Sequence, residues 1–169
     1  MHIMKSSAMI LPDSKHIDWH VFEASLYDRF AVNAVTLNRT GERKTEGNVP
    51  WANDLCALIK TNPNGSKRIC NKLLKILLKA AEEKGTFITG ECAAGMNKWV
   101  LPIIQNDELD GFVNICGRPF CNAERIYTDY ISKTIAVDEE TIQKMLPCLN
   151  PIDPRTQKEM KRFIKGYLH

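Results

Sequence analysis

Residues 86–117, TFITGECAAGMNKWVLPIIQNDELDGFVNICG, contain three strand candidates in close succession and decide the fold class. The candidates are TFITGEC near 86–92, KWVLPIIQ near 98–105 and GFVNICG near 111–117, and the acidic turn NDELD joins the last two. Connections this short predict an antiparallel meander, because parallel strands need a crossover of a dozen or more residues. The meander stands between helical blocks, so the predicted fold class is α+β.

Amphipathic helices are predicted on both sides of this meander. Apolar side chains recur every three or four positions over residues 17–30, which is typical of a helix with one buried face. After that helix the pattern predicts a strand near 31–37, a short helix from about Trp51, a loop NPNG at 62–65, and a helix from Ser66, its N-cap, to Gly85. The rest of the chain after the meander is predicted to be helical.

Composition limits the classes of protein that this chain can belong to. Its 169 residues, 44% of them hydrophobic, suit one domain with a single core. There is no apolar run of the ~20 residues that a membrane span needs, and the first residues lack a signal-peptide pattern. We therefore expect a cytoplasmic protein without a membrane partner. A net charge of +3 is too small to favour direct nucleic-acid binding, and the lysines of the 66–85 helix are interpreted as a solvated face.

The six cysteines are the unusual feature of the composition. In a reducing compartment they point to metal binding or redox chemistry rather than to structural disulfides, although no pair has CxxC spacing. Two of them end strands that run in the same direction, which places them about 10 Å apart across the middle strand. The alternative is that each thiol is a small buried hydrophobe, as free cysteines often are. The cysteines are Cys56, Cys70, Cys92, Cys116, Cys121 and Cys148.

Four sequence elements, taken in order, resemble the sensory domain family named after PocR. They are LCALIKTNPNGSKRIC, GECAAGM, VLPII and NDELDGFVNICG. Members of that family carry a Cys, a second Cys after a Pro-x-Gly loop, a third in a C-x-x-G element followed by Pro-Ile, and a late turn, strand and Gly. The matching positions are Cys56, Pro63, Gly65, Cys70, Cys92, Gly95, Pro102, Ile103, Gly111 and Gly117.

The resemblance implies a PAS-like α+β sensor, with an antiparallel sheet covered by helices and a C-terminal helical segment. Residues 17–147 would form the sensory domain, 1–16 an N-terminal tail and 148–169 a C-terminal helical extension. Relatives are usually coupled to an AraC-type DNA-binding region, a histidine kinase or another output, and diols are among the ligands proposed for them. A separate output protein could therefore act as partner, and the terminal helices could form a homodimer.

Two functional hypotheses follow for the central part of the chain. In the first, Cys56, Cys70 and Cys92 hold a metal centre that Cys116 or Cys121 completes, and an iron–sulfur cluster is preferred to zinc because all the candidate ligands are thiolates. The second is a metal-free sensor that binds a small organic ligand such as a diol. Its expected ligand contacts are Trp51, Asn53, Met96 and Trp99.

An enzymatic function is not expected, and no catalytic residue is assigned. Nucleophilic cysteines need a nearby base, usually histidine. The four histidines stand near the two ends of the sequence, outside the cysteine-rich part. No phosphate-binding loop, serine elbow or dinucleotide fingerprint occurs either.

Overall fold

The computed structural model describes residues 9–11, 17–47, 50–120 and 126–168. In this part of the chain one sheet contains five strands: β1 (Met9–Leu11), β2 (Asn33–Asn38), β3 (Ile88–Glu91), β4 (Met96–Gln105) and β5 (Glu108–Pro119). Their order is β1-β4-β5-β2, and β3 also pairs with β4. β2, β3, β4 and β5 pair in antiparallel fashion, whereas β1 runs parallel to β4. The predicted antiparallel sheet is confirmed.

The hairpin between β4 and β5 is the centre of the sheet. Gln105 pairs with Glu108, so only Asn106 and Asp107 form the loop. Both loop residues have positive φ, at 51° and 62°. This is the conformation of the two-residue turns that match the twist of the flanking strands, and Asn and Asp are among the few residues that adopt it readily. The predicted turn is confirmed at this position but is shorter than NDELD, because its last three residues, 108–110, belong to β5.

Seven α-helices surround the sheet in the described residues. They are α1 (Trp19–Phe30), α2 (Asp54–Thr61), α3 (Pro63–Gly65), α4 (Lys72–Lys84), α5 (Thr128–Ile135), α6 (Glu139–Met145) and α7 (Pro154–Leu168). A π-helical segment, Ser66–Asn71, joins α3 to α4, and a 3₁₀ turn, Leu146–Cys148, follows α6. The side chains of Asp18, Asn53, Asp138 and Asp153 accept hydrogen bonds from backbone N–H groups in the first turns of α1, α2, α6 and α7.

Two predicted helix boundaries were wrong. α2 ends at Thr61, as predicted, but the break after it is one residue rather than the four-residue loop NPNG. The Asn62 side chain caps the next helix by accepting from the backbone N–H groups of Asn64 and Gly65. Pro63 occupies the first turn, where its missing N–H costs little. Ser66 is therefore inside the helix rather than its N-cap, and α2 begins at Asp54 rather than near residue 51.

Helices cover both faces of the sheet. Side chains of β4 alternate between the faces, so Trp99 packs with α1 and α7 in one cluster, whereas Val100 packs with α4 in another. A third cluster joins Leu55 of α2 and Ile69 of the π-helical segment to α5 and α6. The sheet thus separates an α1–α7 layer from an α2–α4 layer, and the α+β class is confirmed.

Candidate functional site

Four cysteine side chains converge where the α2–α4 layer meets the sheet, and we call them the thiol site. Cys56 comes from α2, Cys70 from the π-helical segment, Cys92 from the turn after β3, and Cys116 from β5. All four are free thiols and partly buried. Three of them pack against the cluster formed by α2, α5 and α6. Residues distant in sequence are thus brought together by the fold.

Strand register explains why Cys116 joins the other three. Cys116 pairs with Lys98 of β4 and with Asn33 of β2. Directly paired residues project to the same face of a sheet. Lys98 reaches into the α2–α4 layer, because its Nζ donates to the backbone carbonyl of Cys70 at 3.0 Å. Cys116 therefore projects into the same layer as Cys70.

The turn after β3 places Cys92 at the same end of the sheet. The N–H of Cys92 donates to the carbonyl of Met96 at 3.0 Å, and the N–H of Gly95 donates to the carbonyl of Cys92 at 2.8 Å. These bonds close a tight turn between β3 and β4. The prediction that Cys92 and Cys116 share one end of the sheet is confirmed by this arrangement.

Asn53 ties Cys56 to the sheet. Its side-chain oxygen accepts from the N–H of Cys56 at 2.7 Å, and its amide group donates to the carbonyl of Gly117 at 2.6 Å. The same amide group lies 3.4 Å from the Cys56 sulfur and 3.8 Å from the Met96 sulfur. Gly117 has a φ of +107°, and a Cβ there would lie 2.6 Å from the Cβ of Ala52. Glycine at this position therefore lets the start of α2 approach β5.

Lys98 is a buried cation beside the thiols. The residue is only 4% exposed. No carboxylate in the described part of the chain forms an ion pair with it. Its charge does interact with the thiols of Cys70 and Cys92. Buried charges are costly unless they are paired, so this ammonium group favours negative charge at the thiol site.

Burial keeps the thiols of Cys56, Cys70 and Cys92 protonated in the absence of a bound metal. Burial raises the pKa of Cys56 far above its ordinary value, the charges of the other three thiols raise it further, and the hydrogen bond from Asn53 opposes them. Burial also raises the pKa of Cys92 to about 11 and raises that of Cys70, where two nearby lysine ammonium groups oppose it. A metal would reverse this balance, because it binds the deprotonated thiolate.

The thiol site is not arranged as a single-ion site. Across residues 17–47, 50–120 and 126–168, no group of three or more His, Cys, Asp or Glu side chains is arranged to hold a metal ion. The thiols are nevertheless near enough for their charges to interact, and Cys116 acts on each of the other three.

The structure separates the other predicted site residues. Asn53 and Met96 adjoin the thiol site, whereas Trp51 is 42% exposed on the neighbouring surface. Trp99 lies on the opposite face of the sheet in the core beside α1 and α7. Cys121 lies outside the described residues. Cys148 lies in the 3₁₀ turn and is exposed, so the interpretation of this thiol as a small buried hydrophobe was wrong.

Sequence reasoning missed Lys98. One signal was available: Lys98 is the only charged residue in the stretch MNKWVLPII, at 96–104, and it is in phase with Val100 and Pro102 on one face of the strand. A lysine on a buried face of a central strand needs a specific partner. That partner could be recognised only when the register with Cys116 was known.

Comparison with known protein families identifies the chain. A family model described as the sensory domain found in PocR matches residues 19–168. The chain belongs to this family. Searches of curated proteins and of solved structures found no match.

Membership of this family indicates that the chain has a sensory role in signal transduction. Such a role is non-catalytic. The match also includes the elements that supply Cys56, Cys70, Cys92 and Cys116. The described helices include none that is both long and apolar enough to span a membrane.

Proposed function

We propose that this PocR sensory domain is a cytoplasmic sensor whose thiol site, Cys56, Cys70, Cys92 and Cys116, binds an iron–sulfur cluster. The buried ammonium group of Lys98 is the observation that carries the proposal, because it acts on the thiols of Cys70 and Cys92 and has no carboxylate partner among the described residues. A cluster with thiolate ligands would supply the negative charge that this ammonium lacks.

The chemistry of the donor set fits such a cluster. Cysteine thiolates are the usual ligands of iron–sulfur clusters, and four are available here. Because all the candidate ligands are thiolates, a cluster is preferred to zinc, which remains the second choice of metal.

Signalling would follow from the elements that the thiols connect. Cys56 lies in α2 and Cys70 in a π-helical segment, a rare structure that occurs frequently at functional sites. A bound cluster supplies sensitivity to redox state. Its loss would release α2 and the π-helical segment from β5, a two-state change that a separate output protein or a second copy of the chain could detect.

The cysteines provide a direct test with an internal control. We expect single changes of Cys56, Cys70, Cys92 or Cys116 to serine to lower bound iron and sulfide after anaerobic reconstitution, whereas Cys148→Ser leaves both unchanged. Circular dichroism of each variant checks that the fold is retained. Wild-type levels of iron and sulfide in all four variants would contradict the proposal. Cys121→Ser, tested in parallel, shows whether that residue is the fourth ligand instead of Cys116.

Lys98 gives an independent test of the electrostatic argument. Lys98→Met removes a buried charge, so we expect metal-free protein to keep its free energy of unfolding or gain slightly. The same change should reduce cluster retention, because the cluster loses its neighbouring cation. Unchanged cluster retention during a timed exposure to a chelator would show that the charge of Lys98 does not serve the site.

A metal-free sensor is the second candidate, and the raised thiol pKa values favour it. Neutral thiols at Cys56, Cys70 and Cys92 would then line a site for a small organic ligand. Asn53 and Met96 would contribute contacts from the same end of the sheet. This candidate predicts that protein free of iron and zinc binds a diol, whereas the cluster proposal requires no such binding.

A further inference from the structure

A cleft of about 350 Å³ lies beside the thiol site, between the sheet and the α2–α4 layer. Its walls include Asn33 and Val35 of β2, Asn114 of β5, Lys60 of α2 and Trp51. Its volume is near the lower end of the range for small-molecule sites, so it suits a ligand of a few heavy atoms. Nothing in the proposed role of the thiols uses this cleft.

Asn114 supplies a buried polar group without a partner. The residue is 8% exposed, and its side-chain oxygen has no hydrogen-bond donor. Asn114 pairs with Val35 across the strands, and both residues line the cleft. Buried polar atoms are nearly always hydrogen-bonded, so this amide oxygen calls for a donor from an occupant of the cleft.

Asn33 complements Asn114 with a free donor. Its side-chain oxygen already accepts from the N–H of Ala52 at 2.7 Å. No described residue accepts a hydrogen bond from its amide nitrogen, which therefore stays available. An acceptor and a donor from neighbouring strands are the pair that a hydroxyl group can satisfy, because it both donates and accepts.

The charge of the cleft is positive. Lys60 has no ion pair with any described carboxylate, and the described ion pair of Arg43 is with Glu23, at 3.6 Å. No acidic side chain is among the described residues of the wall. A carboxylate would therefore be attracted to Lys60, while Val35 and the exposed Trp51 ring would cover the carbon skeleton.

We propose that this cleft binds a small hydroxylated carboxylate, with the hydroxyl group at Asn33 and Asn114 and the carboxylate at Lys60. Asn33 pairs with Cys116, and the occupant therefore contacts a strand residue adjoining the thiol site. The inference rests on the sensory role proposed above and names a ligand class for it, but it does not require a metal.

Three matched probes test this inference by titration calorimetry on the whole chain. Glycerate has both groups, propionate lacks the hydroxyls, and propane-1,2-diol lacks the carboxylate. We expect glycerate to bind at least about tenfold more tightly than either of the others. This is the affinity that a ligand loses when it lacks one hydrogen bond to a charged or buried partner. Equal affinity for glycerate and the diol, or no binding of glycerate, would overturn the inference.

Variants locate the binding within the cleft. Lys60→Met should weaken glycerate binding at least about tenfold, whereas Lys165→Met, on an exposed position of α7, should not change it. Asn114→Leu should reduce the preference for glycerate over propionate. Asn114→Leu alters a buried position, so its circular dichroism spectrum is compared with that of wild type. If the variant does not fold, the three probes measured on wild type decide the question.

The outcome is independent of the thiol site. If protein without iron binds glycerate, the inference about the cleft is supported. The cluster proposal can still fail in its own test. If the protein binds iron and sulfide but not glycerate, the cluster proposal stands and the inference about the cleft is wrong.

Discussion

Replacing Asn53 with alanine tests how the thiol site is built. The change removes the N-cap of α2 and the only described side chain that joins Cys56 to the carbonyl of Gly117. The two hydrogen bonds measure 2.7 and 2.6 Å. We expect both the stability of the fold and the position of the Cys56 thiol to depend on this residue.

The size of the effect follows from these contacts. Loss of an asparagine N-cap costs about 1 kcal/mol, and loss of a partly buried hydrogen bond to a backbone carbonyl costs about 1 kcal/mol more. The carbonyl of Gly117 is also left without that donor, so we expect Asn53→Ala to lower the free energy of unfolding by about 2–3 kcal/mol. Urea denaturation of metal-free protein, followed by circular dichroism, measures it.

Two matched variants separate the cap from the cross-link. Asp138→Ala removes an exposed N-cap that bonds only within its own helix, and should cost about 1 kcal/mol. Asn53→Asp keeps the acceptor for Cys56 but loses the donor to Gly117, so it should remain destabilising by about 1–2 kcal/mol. If Asn53→Ala costs no more than Asp138→Ala, or Asn53→Asp costs nothing, the reasoning about the cross-link is wrong.

Two further predictions concern packing and pH. Gly65→Ala should destabilise by more than about 2 kcal/mol, because its Cβ would lie 2.3 Å from the carbonyl oxygen of Ile59, whereas Gly166→Ala, with open space around it, should stabilise α7 by up to about 1 kcal/mol in the same urea assay. In metal-free protein the pKa of Cys92 is raised to about 11, so its contribution to stability is present at neutral pH and is lost as pH rises from about 8.5 towards 11. Iodoacetamide at pH 8 should therefore modify the exposed Cys148 first, and should modify Cys92 at least about 100-fold more slowly than an ordinary thiol. Mass spectrometry over time measures both rates, and equal rates for the two cysteines would contradict the burial of Cys92.

The elements that sequence predicts well here are those with a strong local cause. The two-residue turn at Asn106 and Asp107 fixes the β4–β5 hairpin, and the left-handed Gly85 ends α4 where predicted, with a φ of 60°. The start of the helix after residue 62 was harder to predict, because Asn62 and Ser66 are both residues that often cap helices. Only the structure shows that Asn62 is the cap.

The site was harder to predict than the fold because it depends on register. A shift of one residue would have turned Cys116 to the opposite face of the sheet. The pairing of Cys116 with Lys98 brings a thiol and a cation together from separate strands, and neither residue has a local pattern that specifies the other. The cleft beside Asn114 likewise depends on how far α2 and α4 stand from the sheet.

Iron and sulfide analysis of wild-type protein purified without oxygen, together with its absorption spectrum, tests the central claim most directly. We expect broad absorption at about 400 nm and equal amounts of iron and sulfide, as an iron–sulfur cluster requires. A colourless protein that contains zinc, or one without metal whose thiols all titrate as free, would contradict the claim that the thiol site holds such a cluster.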